Sequence, residues 1–184
     1  NKLKGFVLPS DNKETNKTAY TVHVLVENRE VTVWVDGFED SCLKAKLTEE
    51  YTGGALSIYS NGCDQGGFQN FFVKEYLADD EPDEPVEGEY VRRFATLLDA
   101  SELEDDFVAY TLDDVAHEME KANIADVFKV EQGRLQSNLQ VSGSETTGFG
   151  ILTLKTQEYK NFELELKYEQ GFVRYGVMFG TKMG

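Results

Sequence analysis

Residues 20–37 (YTVHVLVENREVTVWVDG) constrain the fold most, because they read as two strands joined by a tight turn. Valines alternate with other residues on both sides of Asn28-Arg29, which is the period of two expected of half-buried strands. Asn tolerates a positive φ angle, so a two-residue turn is predicted at Asn28 and Arg29. This register forms one valine face for a core, with the pairs Val26 and Val31, Val24 and Val33, and Val22 and Val35.

The opposite face of this hairpin is predicted to carry a sugar-binding platform. The register places His23 opposite Trp34 and Thr21 opposite Asp36. The apolar face of a sugar ring can stack on an indole while a neighbouring polar group binds a hydroxyl. We therefore take Trp34, His23, Asp36 and Thr21 as the candidate ligand-binding residues. The alternative is that another segment covers this face and Trp34 only packs there.

The rest of the chain predicts an all-β fold with one short helix. Short alternating stretches separated by turn residues are typical of a sandwich or barrel. They cover residues 4–8, 42–47, 55–60, 68–77, 90–99, 127–130, 135–141, 148–155, 159–169 and 172–180. The helix is predicted over 111–126, because its apolar residues recur at helical spacing. His117 lies off that apolar stripe and is expected to face water.

An acidic stretch separates the first run of strands from the second. Residues 78–89 (ADDEPDEPVEGE) contain seven acidic residues and two of the three prolines. Such a segment is typical of a solvated, self-repelling linker, and we predict a linker over 78–91. The alternative is a calcium loop, but the regular spacing of acidic ligands is missing. A structural calcium site elsewhere in the chain is left as an alternative, and no other cofactor is indicated.

The net charge of −16 disfavours two classes of partner. Nucleic acids and anionic membrane surfaces both require clustered Lys and Arg. The sequence contains no run of 18 apolar residues, so no membrane-spanning helix is predicted. The acidic, aromatic-rich composition is typical of an extracellular or cell-surface setting. Cys42 and Cys63 are too few for a disulfide framework or a zinc site, and they either pair or stay free thiols.

Paired carboxylates raise the question of glycosidase chemistry. Glu163 and Glu165 share one face of the predicted strand 159–169, about 6–7 Å apart by strand geometry. Glu169 lies one residue beyond the position that a glucanase strand motif would require. The pattern is also the ordinary alternation of a strand with one solvated face. No G-x-S-x-G or H-E-x-x-H motif occurs, and the chain has two histidines. We assign no catalytic or metal-binding residue.

Several segments resemble the laminin-G/concanavalin-like sandwich family. Residues 20–37, 51–54 (YTGG) and 68–73 (FQNFFV) are similar to the C-terminal half of that fold. Residues 128–135 (FKVEQGRL), 159–166 (YKNFELEL) and 176–179 (GVMF) are similar to its N-terminal half. Within this family, the segments resemble fructan-binding modules of bacterial family 32 glycoside hydrolases, and 3-keto-disaccharide hydrolase domains are also similar. The resemblance implies a two-sheet antiparallel jelly-roll sandwich.

The two halves occur in the reverse of the family order. We expect a single sandwich over 1–184, assembled from 1–77 and 92–184 and joined by the acidic linker. A slice through tandem modules and a homodimer with swapped halves are the alternatives.

The resemblance implies a non-catalytic carbohydrate-binding module of a secreted or surface bacterial protein that degrades glycans. Its partner would be an oligo- or polysaccharide, with fructan as the first candidate. The alternative is an enzyme domain, either a glycan hydrolase or a 3-keto-glycoside hydrolase, that uses Glu163, Glu165 or acids within 99–114. A structural or adhesive spacer is a third interpretation.

Overall fold

The computed structural model describes residues 19–36, 43–61, 67–75, 89–112, 118–139, 149–169 and 175–182. These ranges contain thirteen strands, one short α-helix and two 3-10 helices, Phe94–Thr96 and Ala100–Leu103. The strands are β1 (Ala19–Glu27), β2 (Glu30–Val35), β3 (Leu43–Lys46), β4 (Ala55–Asn61), β5 (Gly67–Glu75), β6 (Glu89–Arg93), β7 (Phe107–Leu112), β8 (Met119–Ala122), β9 (Phe128–Glu131), β10 (Arg134–Ser137), β11 (Phe149–Leu154), β12 (Phe162–Glu169) and β13 (Tyr175–Thr181). The helix α1 (Ile124–Val127) lies between β8 and β9.

The strands form two antiparallel sheets, so the predicted all-β class is confirmed. The larger sheet has eight strands in the order β3-β2-β1-β12-β5-β10-β9, with β6 also paired to β5. The smaller sheet has five strands in the order β13-β4-β11-β7-β8. One buried apolar cluster contains side chains from both sheets, which is the packing of a β-sandwich. The jelly-roll connection stays a prediction.

The predicted hairpin has the register that the sequence indicates. Asn28 and Arg29 have φ angles of 49° and 67°, as a two-residue turn with two left-handed residues requires. His23 pairs with Trp34, and the valine pairs follow the same register. The turn is therefore confirmed in position and in conformation.

Strands from before and after the acidic stretch pair in both sheets. In the larger sheet, β12 lies between β1 and β5. In the smaller sheet, β4 lies between β11 and β13. Of the predicted linker 78–91, residues 89–91 belong to β6 and pair with β5, while 78–88 lie outside the described residues. The permuted family order and the swapped homodimer stay predictions.

Alternation of burial along β12 shows how the core is built. Phe162, Leu164, Leu166 and Tyr168 are buried on the inner face, with exposed fractions from 0% to 9%. The intervening residues Glu163, Glu165, Lys167 and Glu169 are partly exposed on the outer face. Because β12 is flanked by β1 and β5, its inner face is covered by neighbouring apolar side chains and by the smaller sheet.

The predicted helix over 111–126 is wrong for most of its described length. Thr111 and Leu112 belong to β7, and Met119–Ala122 is β8, which pairs with β7. The residues of β8 (MEKA) favour helix locally, but backbone pairing at the edge of the sheet overrides that weak preference. Of the described residues in this region, only those of α1 (Ile124–Val127) are helical.

The predicted strand over 90–99 ends early, at Arg93. Phe94–Thr96 then forms a 3-10 turn, in which the Thr96 hydroxyl donates to the Arg93 carbonyl oxygen at 2.7 Å. Asp99 caps the second 3-10 helix by accepting a hydrogen bond from the Ser101 amide at 2.8 Å. Local side-chain hydrogen bonds of this kind compete with strand pairing.

Other predictions fall outside the described residues. They are the strand over 4–8, the pairing of Cys42 with Cys63, and the solvent-facing position of His117.

Candidate functional site

The outer face of the eight-stranded sheet aligns five side chains in one row across the strands. Trp34 on β2 is opposite His23 on β1, which is opposite Glu165 on β12. Glu165 is in turn opposite Phe72 on β5, and Phe72 is opposite Val91 on β6. We call these five residues the Trp34 row. Two aromatic rings are thus separated by two polar side chains.

His23 is more buried than the sequence analysis expects of a platform residue. Its exposed fraction is 8%, although it lies on the outer face. On the adjacent strands it lies between Trp34 and Glu165. Its Nδ1 atom lies 3.6 Å from Oε2 of Glu165, and the Glu165 side chain is 41% exposed. Glu165, rather than His23, therefore offers the accessible polar group of the row.

Asp36 and Thr21 lie beside the row at the open end of the hairpin. The Asp36 carboxylate accepts a hydrogen bond from the Thr21 amide at 3.0 Å. The Asp36 amide donates to the Thr21 carbonyl oxygen at 2.8 Å. Asp36 has a φ angle of 62° and is exposed. This pair of hydrogen bonds closes the end of the hairpin, and a role of either residue in ligand binding stays a prediction.

The other acidic residues of β12 extend along the same outer face. Glu163 lies between Leu25 on β1 and Lys74 on β5. Glu169 forms an ion pair with Arg134, whose Nη1 atom lies 2.7 Å from Oε2 of Glu169. Alternation with buried apolar residues accounts for the whole acidic pattern. Within the described ranges, no group of three or more His, Cys, Asp and Glu side chains is arranged to hold a metal ion.

A polar cleft of about 460 Å³ lies at the turn of the hairpin. We call it the turn cleft, and its described lining residues are Asn28, Arg29, Glu49, Tyr51, Thr52, Lys160 and Asn161. Three segments that are far apart in sequence meet there: the β1–β2 turn, the loop that precedes β4, and the residues just before β12. No pattern in the sequence indicates this cleft.

A second, apolar cleft of about 340 Å³ opens between the two sheets. Its described lining comes from β1, β2, β3, β12 and β13, together with Leu47 just after β3. It contains Val22 and Val33, which are only partly buried, so the predicted valine face is incompletely covered. The cleft therefore lies between β13, at one end of the smaller sheet, and the end of the larger sheet that contains β3.

Phe72 is a further candidate site residue that the sequence analysis missed. It follows Phe71, which is fully buried, so the two rings face opposite sides of the sheet. The pairing of β5 with β12 shifts register between Lys167 and Tyr168. Because of this bulge, Phe68 and Phe71 are both buried although they are three residues apart, so alternation counted from Phe68 would place Phe72 on the inner face.

Comparisons with known proteins do not assign the chain to a family. No protein-family model matches the chain, and no curated protein matches it at a significant level. The described part of the chain contains no helix that is long and apolar enough to cross a membrane. The functional interpretation therefore depends on the residues themselves.

Proposed function

We propose that this domain is a non-catalytic carbohydrate-binding module and that it binds an oligosaccharide across the outer face of the eight-stranded sheet. The proposal includes a jelly-roll sandwich of the concanavalin-like type, a fructan or related glycan as partner, and a secreted or surface bacterial parent protein that degrades glycans. The sugar chain would lie perpendicular to the strands, along the Trp34 row.

The observation that carries the proposal is the alignment of Trp34 and Phe72 in one row. They lie on β2 and β5, three strand spacings apart, which corresponds to about 14 Å. Both side chains are partly exposed, and Glu165 and His23 lie between them. Two apolar ring surfaces with a polar centre fit a chain of sugar rings, each of which has apolar C–H faces and hydroxyl edges.

Glu165 has the role of hydroxyl acceptor in this arrangement. Its carboxylate is partly exposed, and His23 lies against it at 3.6 Å. Because the imidazole is nearly buried, it limits the positions that the carboxylate can take. We therefore propose that Glu165 binds a sugar hydroxyl and that His23 positions Glu165. Asp36 and Thr21 would contact a longer ligand at the margin of the row.

The test is a glycan screen followed by titration calorimetry. The screen includes inulin and levan oligosaccharides, with calcium present and with calcium chelated. Trp34→Ala is expected to weaken binding about tenfold or more, and Phe72→Ala by about threefold or more, since aromatic contacts are worth on the order of 1 kcal/mol beyond buried area. Leu98→Ala is the control, because Leu98 is 90% exposed and lies outside the row.

Three outcomes would overturn the proposal. Failure of every glycan to bind would favour the structural or adhesive spacer. Equal affinity of the wild type, Trp34→Ala and Phe72→Ala would exclude the row as the site. Release of reducing sugars that is lost in Glu163→Gln or Glu165→Gln would favour the glycoside-active enzyme instead.

A further inference from the structure

The turn cleft brings several polar side chains to one place, about 16 Å along β1 from His23. It is therefore separate from the Trp34 row. Its volume of about 460 Å³ lies within the range of small-molecule sites. The lining combines one aromatic ring, two cations, one carboxylate and side-chain amides.

The three segments that form the cleft are held together by hydrogen bonds. The Asn28 amide donates to Oδ1 of Asn161 at 3.0 Å, which ties the hairpin turn to the start of β12. The Tyr51 hydroxyl donates to the Lys160 carbonyl oxygen at 3.2 Å. The Leu47 amide donates to the Arg29 carbonyl oxygen at 2.8 Å. The walls are thus fixed before any ligand arrives, which lowers the entropic cost of binding.

A glycine close to the cleft strengthens this arrangement. Gly53 has a φ angle of 99°, and a Cβ atom added there would lie 2.8 Å from the Tyr159 carbonyl oxygen. The next residue, Gly54, exchanges backbone hydrogen bonds with Tyr159 at 3.0 and 2.9 Å. The loop that carries Tyr51 and Thr52 is therefore locked against the segment that carries Lys160.

The polar groups of the cleft keep binding capacity for a ligand. Among the described residues, the side chains of Arg29, Glu49 and Lys160 form no ion pair or hydrogen bond. Asn161 is 5% exposed, and its Oδ1 atom is used by the Asn28 amide. The amide nitrogen of Asn161 has no partner in the described part of the chain. Among the described lining residues, two cations and one amide donor accompany a single carboxylate.

We propose that the turn cleft binds a sugar acid, that is, a hexuronate residue. Arg29 and Lys160 would bind the carboxylate through charge-assisted hydrogen bonds. Asn161 would donate to a ring hydroxyl and Glu49 would accept from another, while the Tyr51 ring would contact the apolar face of the sugar. The inference rests on the proposed function in taking the ligand to be a saccharide, but it concerns a different site and a different class of sugar.

The experiment compares two sugars that differ only at one carbon atom. D-glucuronate and D-glucose are titrated into the full chain, and binding is followed by amide chemical shifts in NMR. Glucuronate is expected to bind about tenfold more tightly or better, because each charge-assisted hydrogen bond to the carboxylate is about twice as strong as a neutral one. Its largest shifts should occur at residues of the turn cleft.

Four variants sharpen the test. Arg29→Gln and Lys160→Gln should each weaken glucuronate binding by about fivefold or more, whereas Arg29→Lys should retain more of it. Lys121→Gln is the control for the change in net charge, because Lys121 is exposed on β8 in the other sheet. It should bind like the wild type.

The result also separates this inference from the Trp34 row. Trp34→Ala should leave glucuronate binding intact, and Arg29→Gln should leave binding of a neutral oligosaccharide intact. Equal affinity of the protein for glucose and glucuronate would overturn the inference. So would an unchanged affinity for glucuronate in both Arg29→Gln and Lys160→Gln. If neutral oligosaccharides bind and glucuronate does not, the inference alone fails. If glucuronate binds and no neutral oligosaccharide does, the Trp34 row alone fails.

Discussion

The two faces of the β1–β2 hairpin have the same register but very different environments. On the inner face, Val24, Val26 and Val31 are buried, with exposed fractions of 0–5%. On the outer face, His23 is nearly as buried, at 8%, while its partner Trp34 is partly exposed. Alternation separates the two sets of residues correctly, but it does not determine how deeply each residue is buried.

The difference follows from what lies over each face. Val26 is fully buried, whereas Val22 and Val33, like the more buried Val24 and Val31, line the apolar cleft beside β13. Among the described residues no second sheet covers the outer face, and the neighbours of His23 on the adjacent strands are Trp34 and Glu165. Inner residues should therefore determine stability, and outer residues should determine binding.

The largest expected effect on stability comes from β12, where neighbouring residues face opposite sides. Leu164 is 0% exposed and lies between Val24 and Val73 on the adjacent strands. Leu164→Ala should reduce the free energy of unfolding by about 2–5 kcal/mol, because it leaves a cavity in the core. Glu163→Gln should change it by less than about 0.5 kcal/mol. Urea unfolding of both variants measures the two values, and a similar loss in both would contradict the assignment of faces.

The next effect compares two valines on the same inner face. Val26 is fully buried, and Val33 is partly exposed at the apolar cleft. Val26→Ala should cost about 2 kcal/mol and Val33→Ala about 1 kcal/mol or less, because less surface is removed from water at Val33. The same urea experiment compares them. An equal cost at both positions would mean that the cleft is filled in solution.

A smaller effect should appear at alkaline pH. Burial, followed by the nearby charges of Tyr20 and Asp36, raises the pKa of Tyr168 to about 12. The folded-state pKa lies above the ordinary value near 10, so the neutral hydroxyl contributes stability that is fully present below pH 10. That stability is lost as pH rises from 10 towards 12. Urea unfolding at several pH values should show this decline.

The control for the alkaline effect is Tyr168→Phe, which removes the titrating group and keeps the ring. Its free energy of unfolding should fall less steeply above pH 10 than that of the wild type. Burial also raises the pKa of Tyr159 to about 12. Part of the decline in the free energy of unfolding should therefore remain in Tyr168→Phe. Identical slopes for the two proteins would contradict a buried Tyr168 hydroxyl.

Much of the fold could be predicted because alternation is a local signal. The hairpin, β12 and most other strands have a period of two that no alternative structure satisfies. The region around β7 and β8 could not be predicted in the same way. There, apolar residues also fit a helical spacing, and β8 consists of helix-favouring residues that only pairing with β7 holds in a strand. Pairing between β7 and β8 therefore determines the conformation of this region, because local preference fits both helix and strand.

The candidate sites were predictable only where one hairpin contains them. Trp34 and His23 face each other through a two-residue turn, so the sequence alone aligned them. Phe72 required the pairings of β12 with both β1 and β5, and the second of these contains a bulge. The turn cleft required three distant segments, joined by contacts such as the hydrogen bond between Asn28 and Asn161. No spacing in the sequence encodes those contacts.

The most direct test of glycan binding at the Trp34 row uses the unmodified protein. Trp34 is the one tryptophan in the chain, so its fluorescence reports on this position alone. Titration with the best oligosaccharide from the glycan screen should change the emission in a saturable way, with the same dissociation constant as calorimetry, because a sugar ring on the indole displaces water from it. Binding that calorimetry detects without any change in Trp34 emission would contradict the proposed site.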